Sequence, residues 1–485
     1  MSGVVIGDLS PRTKYKDFRE WIELSRQLGE VKDVEGASAD EDIGLATDLL
    51  QHTENAPIAV FDSIPGYPKG YRVLVNIFGS LRRIALSLGL PVDASAQELV
   101  EEWRGRLRKL APIPPLYVDD GPVLENLHTG EDVDVLKFPA PKWHEHDGGR
   151  YLGTGSMDIT VDPDTGWVNS GTYRVMVHDR NRIGFYISPG KHGRLHRDKY
   201  FERNQPCPVV VATGVEPVLY LAACSEVPLG VDEFAWAGGV KGAPIEVIRG
   251  RITGLPIPAN AELALEGYAY PGDFLPEGPF GEWTGYYASG SREEPVIRVQ
   301  AVYHRNNPIV QGSPPGKPPN EQAHCRAFLR SAHLMEDLEK AGVPDVAGAW
   351  CHAVGGSRLL VAVAIRQRYP GHARQAGQVA AMCHSGAYLG RYVVVVDDDV
   401  DPSDLNDVIW AMCTRSDPVG SIDFINRAWS GPLDPAIPKD KKGFNSRAII
   451  DACWPYEWKE QHPVVTEPSI ELRKKARQQW GHLIT

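Results

Sequence analysis

The sequence predicts a mixed α/β chain with a β-rich middle, and three patterns carry that expectation. Apolar residues at helical spacing occur near both ends, while the central stretch breaks into short β-branched runs separated by Gly, Pro, Asn and Asp. Beyond residue 320, helical and apolar segments alternate as in an α/β unit with a parallel strand pair. Glycine (48) and proline (39) are abundant among the 485 residues without low-complexity repeats, which points to a turn-rich fold rather than to disorder. Such a length accommodates roughly two to four domains.

In FREWIELSRQLGEV, Phe18, Trp21, Ile22, Leu24 and Leu28 fall at helical spacing, and Gly29 suits the left-handed residue that ends a helix. AQELVEEWRGRLRKL places Leu99, Val100, Trp103, Leu107 and Leu110 on one stripe before APIPPLY stops the helix. Residues 112–142 read as a crossing segment between domains. From about 150 to 310, SMDITVDPDTGWVNSGTYRVMVHDRNRIGFYIS, PCPVVVATGVEPVLYLAAC and APIEVIRGRITGLPIPANAELALEGYAYP are punctuated by turns such as DPDTG and DRNR. They predict an antiparallel sheet or closed barrel, mostly β. Next come a helix in EQAHCRAFLRSAHLMEDLEKAG, apolar LLVAVAI, a helix through 371–386, apolar YVVVV and a helix starting near Pro402. EPSIELRKKARQQW forms a last helix whose charged face suits a partner subunit or solvent equally.

Composition excludes several classes. Hydrophobic residues make up 42% and charged residues 24%, and no apolar run approaches the ~18 to 20 residues of a membrane span. Lys+Arg 51 against Asp+Glu 63 gives a net charge of −12, without the basic footprint of a nucleic-acid binder. Cys207, Cys224, Cys325, Cys351, Cys383, Cys413 and Cys453 are odd in number, widely spaced and lack a CxxC, so reduced thiols are expected rather than disulfides or a cysteine zinc site. The start MSGVVIGDLSPRTKYKDF shows no basic region followed by a long apolar stretch, so a cytoplasmic protein without signal peptide is expected. GxxxxGK[ST], GxSxG, HExxH and a strand-to-helix GxGxxG are absent. His192 and His196 stand four apart, but Pro189, Gly190 and Gly193 argue against a helix there and hence against a zinc pair. Asp397, Asp398 and Asp399 are expected to cap and solvate the start of the next helix, with cation or ribose binding as the alternative.

Three stretches of the β-rich part concentrate polar groups among turns: NSGTYR (169–174), SPGKHG (188–193) and EGPFGE (277–282). In the last, Glu277 and Glu282 flank a Gly-Pro-Phe-Gly turn and can face one cleft. Beside an arginine such as Arg174, a carboxylate pair divides its tasks: the cation keeps one ionised while a drier neighbour holds a proton near neutral pH. The bland alternative stays open at this point, with both glutamates solvated, Arg174 on a strand surface, Asn169 in a turn and Glu233 on the surface.

NSGTYR, SPGKH, EVPLGVDEFAWAGG and EGPFGEWTGYY, in this order and at these separations, resemble the UbiD family of decarboxylases, which use prenylated FMN. The similarity extends to PPGKPPNE, VVVVDDDVDPSDLNDVIWAMCTR and the IDAC segment near 450. It implies an N-terminal α/β domain (1–125), a flavin-reductase-like split β-barrel that binds the cofactor (126–320), and a C-terminal α/β domain (321–485) used in oligomerisation. It also implies a homodimer or homohexamer, and a hinge that closes the cofactor domain over substrate. By the same resemblance Asn169, His192 and Glu233 bind a divalent metal, Mn2+, that holds the cofactor phosphate. Amide oxygen, imidazole and carboxylate suit such an intermediate cation. K+ would sit nearby, at Glu233 and the backbone carbonyls around Ala223 to Ser225. Thr172, Tyr173 and Lys191 match segments lining the flavin, and Arg391 matches a basic residue offered to the phosphate.

The catalytic trio implied by the resemblance is Arg174, Glu277 and Glu282. Glu282 would be the proton donor, with Arg174 and Glu277 as the ion pair that orients the flavin and tunes it. The implied reaction is reversible non-oxidative decarboxylation of an aromatic or heteroaromatic acid through a covalent substrate adduct with prenylated FMN. A protocatechuate, vanillate or 4-hydroxybenzoate type of substrate is favoured over furan, pyrrole or polycyclic acids. A flavin prenyltransferase would supply the cofactor. Two rival classes are a metal-dependent hydrolase or lyase without flavin, and a non-catalytic flavin-binding subunit; the second predicts loss of a trio residue, and all three are present.

Overall fold

The computed structural model describes residues 12–483 except 226, 228 and 229. The expectation of no signal peptide at residues 1–11 and part of the EVPLG segment lie outside the described residues. The first helix, Phe18–Gln27, starts where the Asp17 carboxylate accepts the Glu20 N–H at 2.9 Å, buries Phe18, Trp21 and Ile22, and ends before Gly29 at φ +78°. Helix Ala96–Leu107 opens on a reciprocal Ser95/Glu98 capping box and buries Leu99, Val100 and Trp103. The Trp103 ring meets Trp236 at 6.0 Å and Phe328 at 6.4 Å, so helices Glu233–Lys241 and Glu321–Lys340 share one core with it. Trp103→Ala is therefore expected to cost about 3–5 kcal/mol in a denaturant titration, and an unchanged midpoint would show that this three-helix junction does not depend on the indole.

Four sheets organise the described residues. In the first, Val31–Glu35 runs parallel to Ile58–Asp62, which pairs antiparallel with Arg72–Val75. The fourth strand there, Ile309–Gly312, is parallel to Arg72–Val75 and arrives from the far end of the β-rich region. The largest sheet has seven strands, in the order Asn126–Thr129, Arg292–His304, Leu263–Glu277, Cys207–Thr213, Ser156–Val161 and Val168–Gly171, with Arg182–Gly184 also paired to Arg292–His304. Its pairs are antiparallel, as the period-2 pattern predicts, and among the described residues its two end strands do not pair with each other. Leu116–Tyr117, within the crossing segment 112–142, joins a small sheet with Glu246–Arg249 and Pro256–Pro258. In the C-terminal sheet the strands Leu360–Ile365, Tyr392–Asp397 and Phe444–Ala452 are mutually parallel, and antiparallel strands Val346–Cys351 and Ile422–Trp429 form the edges.

Three local expectations are corrected. PVLYLAAC continues no strand: Pro217–Cys224 is a helix with Pro217 in its first turn. Every residue from Pro217 to Ala223 is buried, and a helix wrapped in core on all sides shows no amphipathic stripe. The segment after Lys191 is also helical, His192–Glu202, in spite of Gly193. Its first turn is capped from a distance, by the Tyr173 hydroxyl accepting the Gly193 N–H at 3.1 Å. Asp397, Asp398 and Asp399 cap nothing, because the next helix, Leu405–Arg415, begins later with Asp404 as its cap. Asp397 instead accepts from Trp454 N–H and Gln367 Nε2, Asp398 from Arg366, and Asp399 from Arg415. The seven cysteines are free thiols. Among the described residues no helix is long and apolar enough to cross a membrane.

Candidate active site

Glu277 is the last residue of the long strand Leu263–Glu277, opposite Arg292 in the antiparallel register. Gly278, at φ +84°, reverses the chain in a region closed to most side chains, and the turn brings Glu282 back beside the strand end. Arg174, bridged to Tyr186 across a short antiparallel contact, reaches both carboxylates. Its Nη2 donates to Glu277 Oε2 at 2.6 Å and its Nη1 to Glu282 Oε1 at 3.1 Å. The Arg174 and Glu277 side chains are 5% and 1% exposed, whereas Glu282 is 15% exposed, which makes it the carboxylate open to a reactant. The Tyr151 hydroxyl donates to Glu277 Oε1 at 3.3 Å, and the Arg174 guanidinium lies 4.2 Å over the Tyr186 ring. The trio expected from the sequence is therefore one contiguous cluster.

Burial raises the pKa of Glu282; the positive charge of Arg174 opposes the shift, the negative charge of Glu277 adds to it, and Arg292 again opposes it. Burial works against the charge of Arg174, but Glu277 and Glu282 more than offset it and keep the guanidinium firmly protonated. Glu282 thus keeps its proton to higher pH than a free glutamic acid, whose pKa is about 4.3. If the protonated form is the active one, kcat falls as pH rises through that raised pKa. Arg292→Met removes a charge that favours ionised Glu282, so the alkaline limb of the kcat–pH profile is expected to move to higher pH; a move to lower pH would contradict this electrostatic assignment.

A second cluster gathers the expected metal ligands. Asn169 sits on strand Val168–Gly171, His192 opens the helix His192–Glu202, and Glu233 opens the helix Glu233–Lys241 behind its cap Asp232. The Ser170 N–H donates to Glu233 Oε2 at 2.7 Å, and the Tyr173 hydroxyl accepts from both Asn169 Nδ2 and Gly193 N–H at 3.1 Å. That hydroxyl ties Asn169 to the residue after His192. The Tyr173 ring packs so tightly that a Cβ on Gly171 or Gly193 would come within 2.6 and 2.7 Å of it. His192 and His196 both contact Trp167, at 4.9 and 5.2 Å, but His196 Nδ1 bonds Thr160 Oγ1 at 3.0 Å.

The donor set fits a divalent cation. Glu233 is 4% exposed, no Lys or Arg pairs with it among the described residues, and its pKa is pushed up to about 8, chiefly by burial. A buried carboxylate of this kind ionises most readily when a cation compensates it. Burial, reinforced by Lys191, lowers the pKa of His192 and keeps it a neutral imidazole, the ligating form. Among the described residues the buried Ser170 Oγ has no hydrogen-bond partner. Among the described residues no three His, Cys, Asp or Glu side chains group as metal ligands, so the amide of Asn169 is needed to complete this set.

The remaining expected residues divide. Thr172 lies beside Cys224, Lys191 occupies the position before helix His192–Glu202, and Ser225 closes helix Pro217–Cys224 by donating to Leu221 O at 2.6 Å. The Arg391 guanidinium donates to the fully buried Asp434 at 2.5 Å. Sequence reasoning missed Tyr151, Tyr186, Arg292 and Asp158. Asp158 is buried, accepts the Tyr173 N–H at 2.8 Å, and has its pKa pushed to about 7 by burial. A lone acid inside the apolar run SMDITV was the available signal.

Comparison with known proteins gives this geometry a context. Residues 22–103, 116–318 and 323–452 match the N-terminal, Rift-related and C-terminal domains described for UbiD, 3-octaprenyl-4-hydroxybenzoate carboxy-lyase. A pyrrole-2-carboxylic acid decarboxylase of Pseudomonas aeruginosa is 30% identical over 96% of this chain and 97% of its own length. The vanillic acid decarboxylase of Sedimentibacter hydroxybenzoicus in its open form superposes with a TM-score of 0.86 at 28% identity, covering 97% of this chain and 100% of that one. An evolved dimeric form of the UbiD-class enzyme HmfF from Pelotomaculum thermopropionicum, in complex with prFMN, gives a TM-score of 0.80 at 26% identity over 94% of this chain and 98% of that one.

Proposed function

This chain belongs to the UbiD family of carboxy-lyases, and from that premise we propose that it decarboxylates an aromatic or heteroaromatic carboxylic acid, reversibly and without oxidation, using prenylated FMN. The observation that carries the reading is the Arg174 guanidinium bridging a closed carboxylate, Glu277, and a more open one, Glu282. Asn169, His192 and Glu233 are the side chains that would hold Mn2+ and so help to bind the cofactor phosphate, and Glu233 with the carbonyls of Ala223 to Ser225 would take K+. Thr172, Tyr173, Lys191 and Ser225 line the cofactor. Bound there, prenylated FMN supplies the electron sink for the pair released when the bond to CO2 breaks.

The chain's own residues do the rest. Arg174 stays charged and fixes the spacing of the two glutamates. Glu277, bonded by Arg174 and Tyr151, remains the acceptor that holds Arg174 in place. Protonated Glu282 delivers its proton to the carbon that CO2 has left, and its resulting negative charge is stabilised at once by Arg174. In carboxylation Glu282 takes that proton back. The three matched domains support reading 1–125, 126–320 and 321–485 as the N-terminal, cofactor-binding and C-terminal units; the reading includes a cytoplasmic homodimer or homohexamer built through the C-terminal unit.

A substrate of the protocatechuate, vanillate or 4-hydroxybenzoate type is favoured, and likeness to a vanillic acid decarboxylase supports it. Likeness to a pyrrole-2-carboxylic acid decarboxylase supports the heteroaromatic alternative. CO2 release from a panel of both kinds, with protein co-produced with a flavin prenyltransferase and purified without oxygen, decides between them. Turnover of a hydroxybenzoate alone is the expected result; turnover of pyrrole-2-carboxylate alone would transfer the assignment, and release from no acid would contradict the reading.

A further inference from the structure

We propose that Asp147 and His144 form a positioning pair that anchors the loop 278–282 and thereby aims the Glu282 carboxyl at the reacting carbon. The inference rests on the decarboxylase reading for Glu282 and deepens it. The Asp147 side chain is fully buried, with no Lys or Arg partner among the described residues, and it is satisfied by three N–H groups. Oδ2 accepts the backbone N–H of His144 and faces His144 Nδ1, both at 3.0 Å. Oδ1 accepts the N–H of Gly281 at 3.1 Å, one residue before Glu282. A buried carboxylate is costly unless such donors surround it, so Asp147 is built around these contacts rather than tolerated among them.

The approach is close along its length. The Gly148 N–H donates to Pro279 O at 2.8 Å, and a Cβ on Gly148 would lie 2.1 Å from Gly278 O. A Cβ on Gly281 would lie 2.8 Å from His144 Nδ1, so the turn 144–148 and the loop 278–281 are pressed together. The His144 ring meets Phe280 at 5.8 Å and Tyr287 at 6.5 Å, and its Nε2 lies 3.2 Å from where a Cβ of Gly316 would sit. One imidazole thus touches both ends of the Glu282 loop and the PPGKPP segment. Past Gly281 the loop's backbone bonds, among the described residues, are internal: Glu282 N–H to Tyr286 O at 3.1 Å, and Gly285 N–H to Glu282 O at 2.8 Å. Asp147 thus holds the backbone at Gly281, next to Glu282, while the Gly148 bond to Pro279 O holds the start of the loop. A misplacement of about 1 Å in a reacting group can cost about 10²-fold in rate.

The test uses the cofactor-loaded enzyme together with hydrogen exchange on the cofactor-free chain. Asp147→Ala is expected to lower kcat by about 10- to 100-fold, with KM and flavin content near wild type, and to shift the alkaline limb of kcat that reports Glu282 among Arg174, Glu277 and Arg292. Peptides covering 278–287 should exchange faster in that variant. Asp147→Asn keeps an oxygen for the Gly281 N–H and should recover part of both losses; should Asp147→Ala fold poorly, Asp147→Asn and His144→Ala carry the same two readouts. Wild-type kcat with an unmoved limb in folded Asp147→Ala, or unchanged exchange at 278–287 in every variant, would overturn the proposal. Absence of turnover in the wild-type holoenzyme would instead overturn the decarboxylase reading, and the exchange data would still decide whether Asp147 anchors the loop.

Discussion

Glu282→Gln is expected to lower kcat by about 10² to 10⁴-fold while the protein keeps its full complement of flavin. The amide has the size of the carboxyl and still offers an oxygen to Arg174 Nη1, so the cluster Arg174, Glu277 and Tyr151 is retained. What it lacks is a transferable proton. Glu282 is separate from the Asn169, His192 and Glu233 cluster, whose bonds run through Ser170, Tyr173 and Gly193, so metal and cofactor binding are expected to survive. Turnover under saturating acid and the flavin absorbance of the same sample are the paired measurements. Wild-type decarboxylation in Glu282→Gln would remove it as proton donor and move attention to Glu277.

His192→Ala is expected to purify with neither metal nor flavin. Removing the imidazole leaves Glu233 and Asn169 as the side-chain donors, and Glu233, with a pKa near 8 in the absence of a cation, is then a weak ligand at neutral pH. The variant also loses a ring contact on Trp167, so circular dichroism must show that helix His192–Glu202 still forms. Metal analysis and released flavin are read on one preparation. A folded His192→Ala protein with full cofactor content would take His192 out of the ligand set.

How much of this was legible in the sequence varies with the range of the forces involved. Helices Phe18–Gln27 and Ala96–Leu107 were readable because their caps, stripes and terminating glycine are all local. The antiparallel middle was readable from alternation and turn residues. Helix Pro217–Cys224 was not, since an element buried on every side leaves no period to detect. Helix His192–Glu202 was masked because its cap is the hydroxyl of Tyr173, nineteen positions before His192, and because Tyr173 fills the space that makes Gly193 useful. The strand Ile309–Gly312 pairs with Arg72–Val75 across more than two hundred residues, a link that no local pattern encodes.

At the site, Glu277 and Glu282 were legible as two acids on one turn, but their union with Arg174 became an expectation only through resemblance to a family. Glu233 read as a surface residue because its neighbours in sequence are mixed; in the fold it is buried against the Ser170 amide. Arg391, expected beside the phosphate only through resemblance, pairs with Asp434, a contact that no local pattern announces. Asp147 was not singled out, because its two donors on His144 are local and unremarkable while the third, from Gly281, lies far along the chain.

The most direct measurement is the mass and absorbance spectrum of the small molecule released from protein co-produced with a flavin prenyltransferase and purified without oxygen, together with metal analysis of the same sample. A mass matching prenylated FMN, with manganese, is the expected result. Folded protein that repeatedly carries no flavin, yet is active with metal alone, would contradict the assignment and withdraw the role given to Glu282.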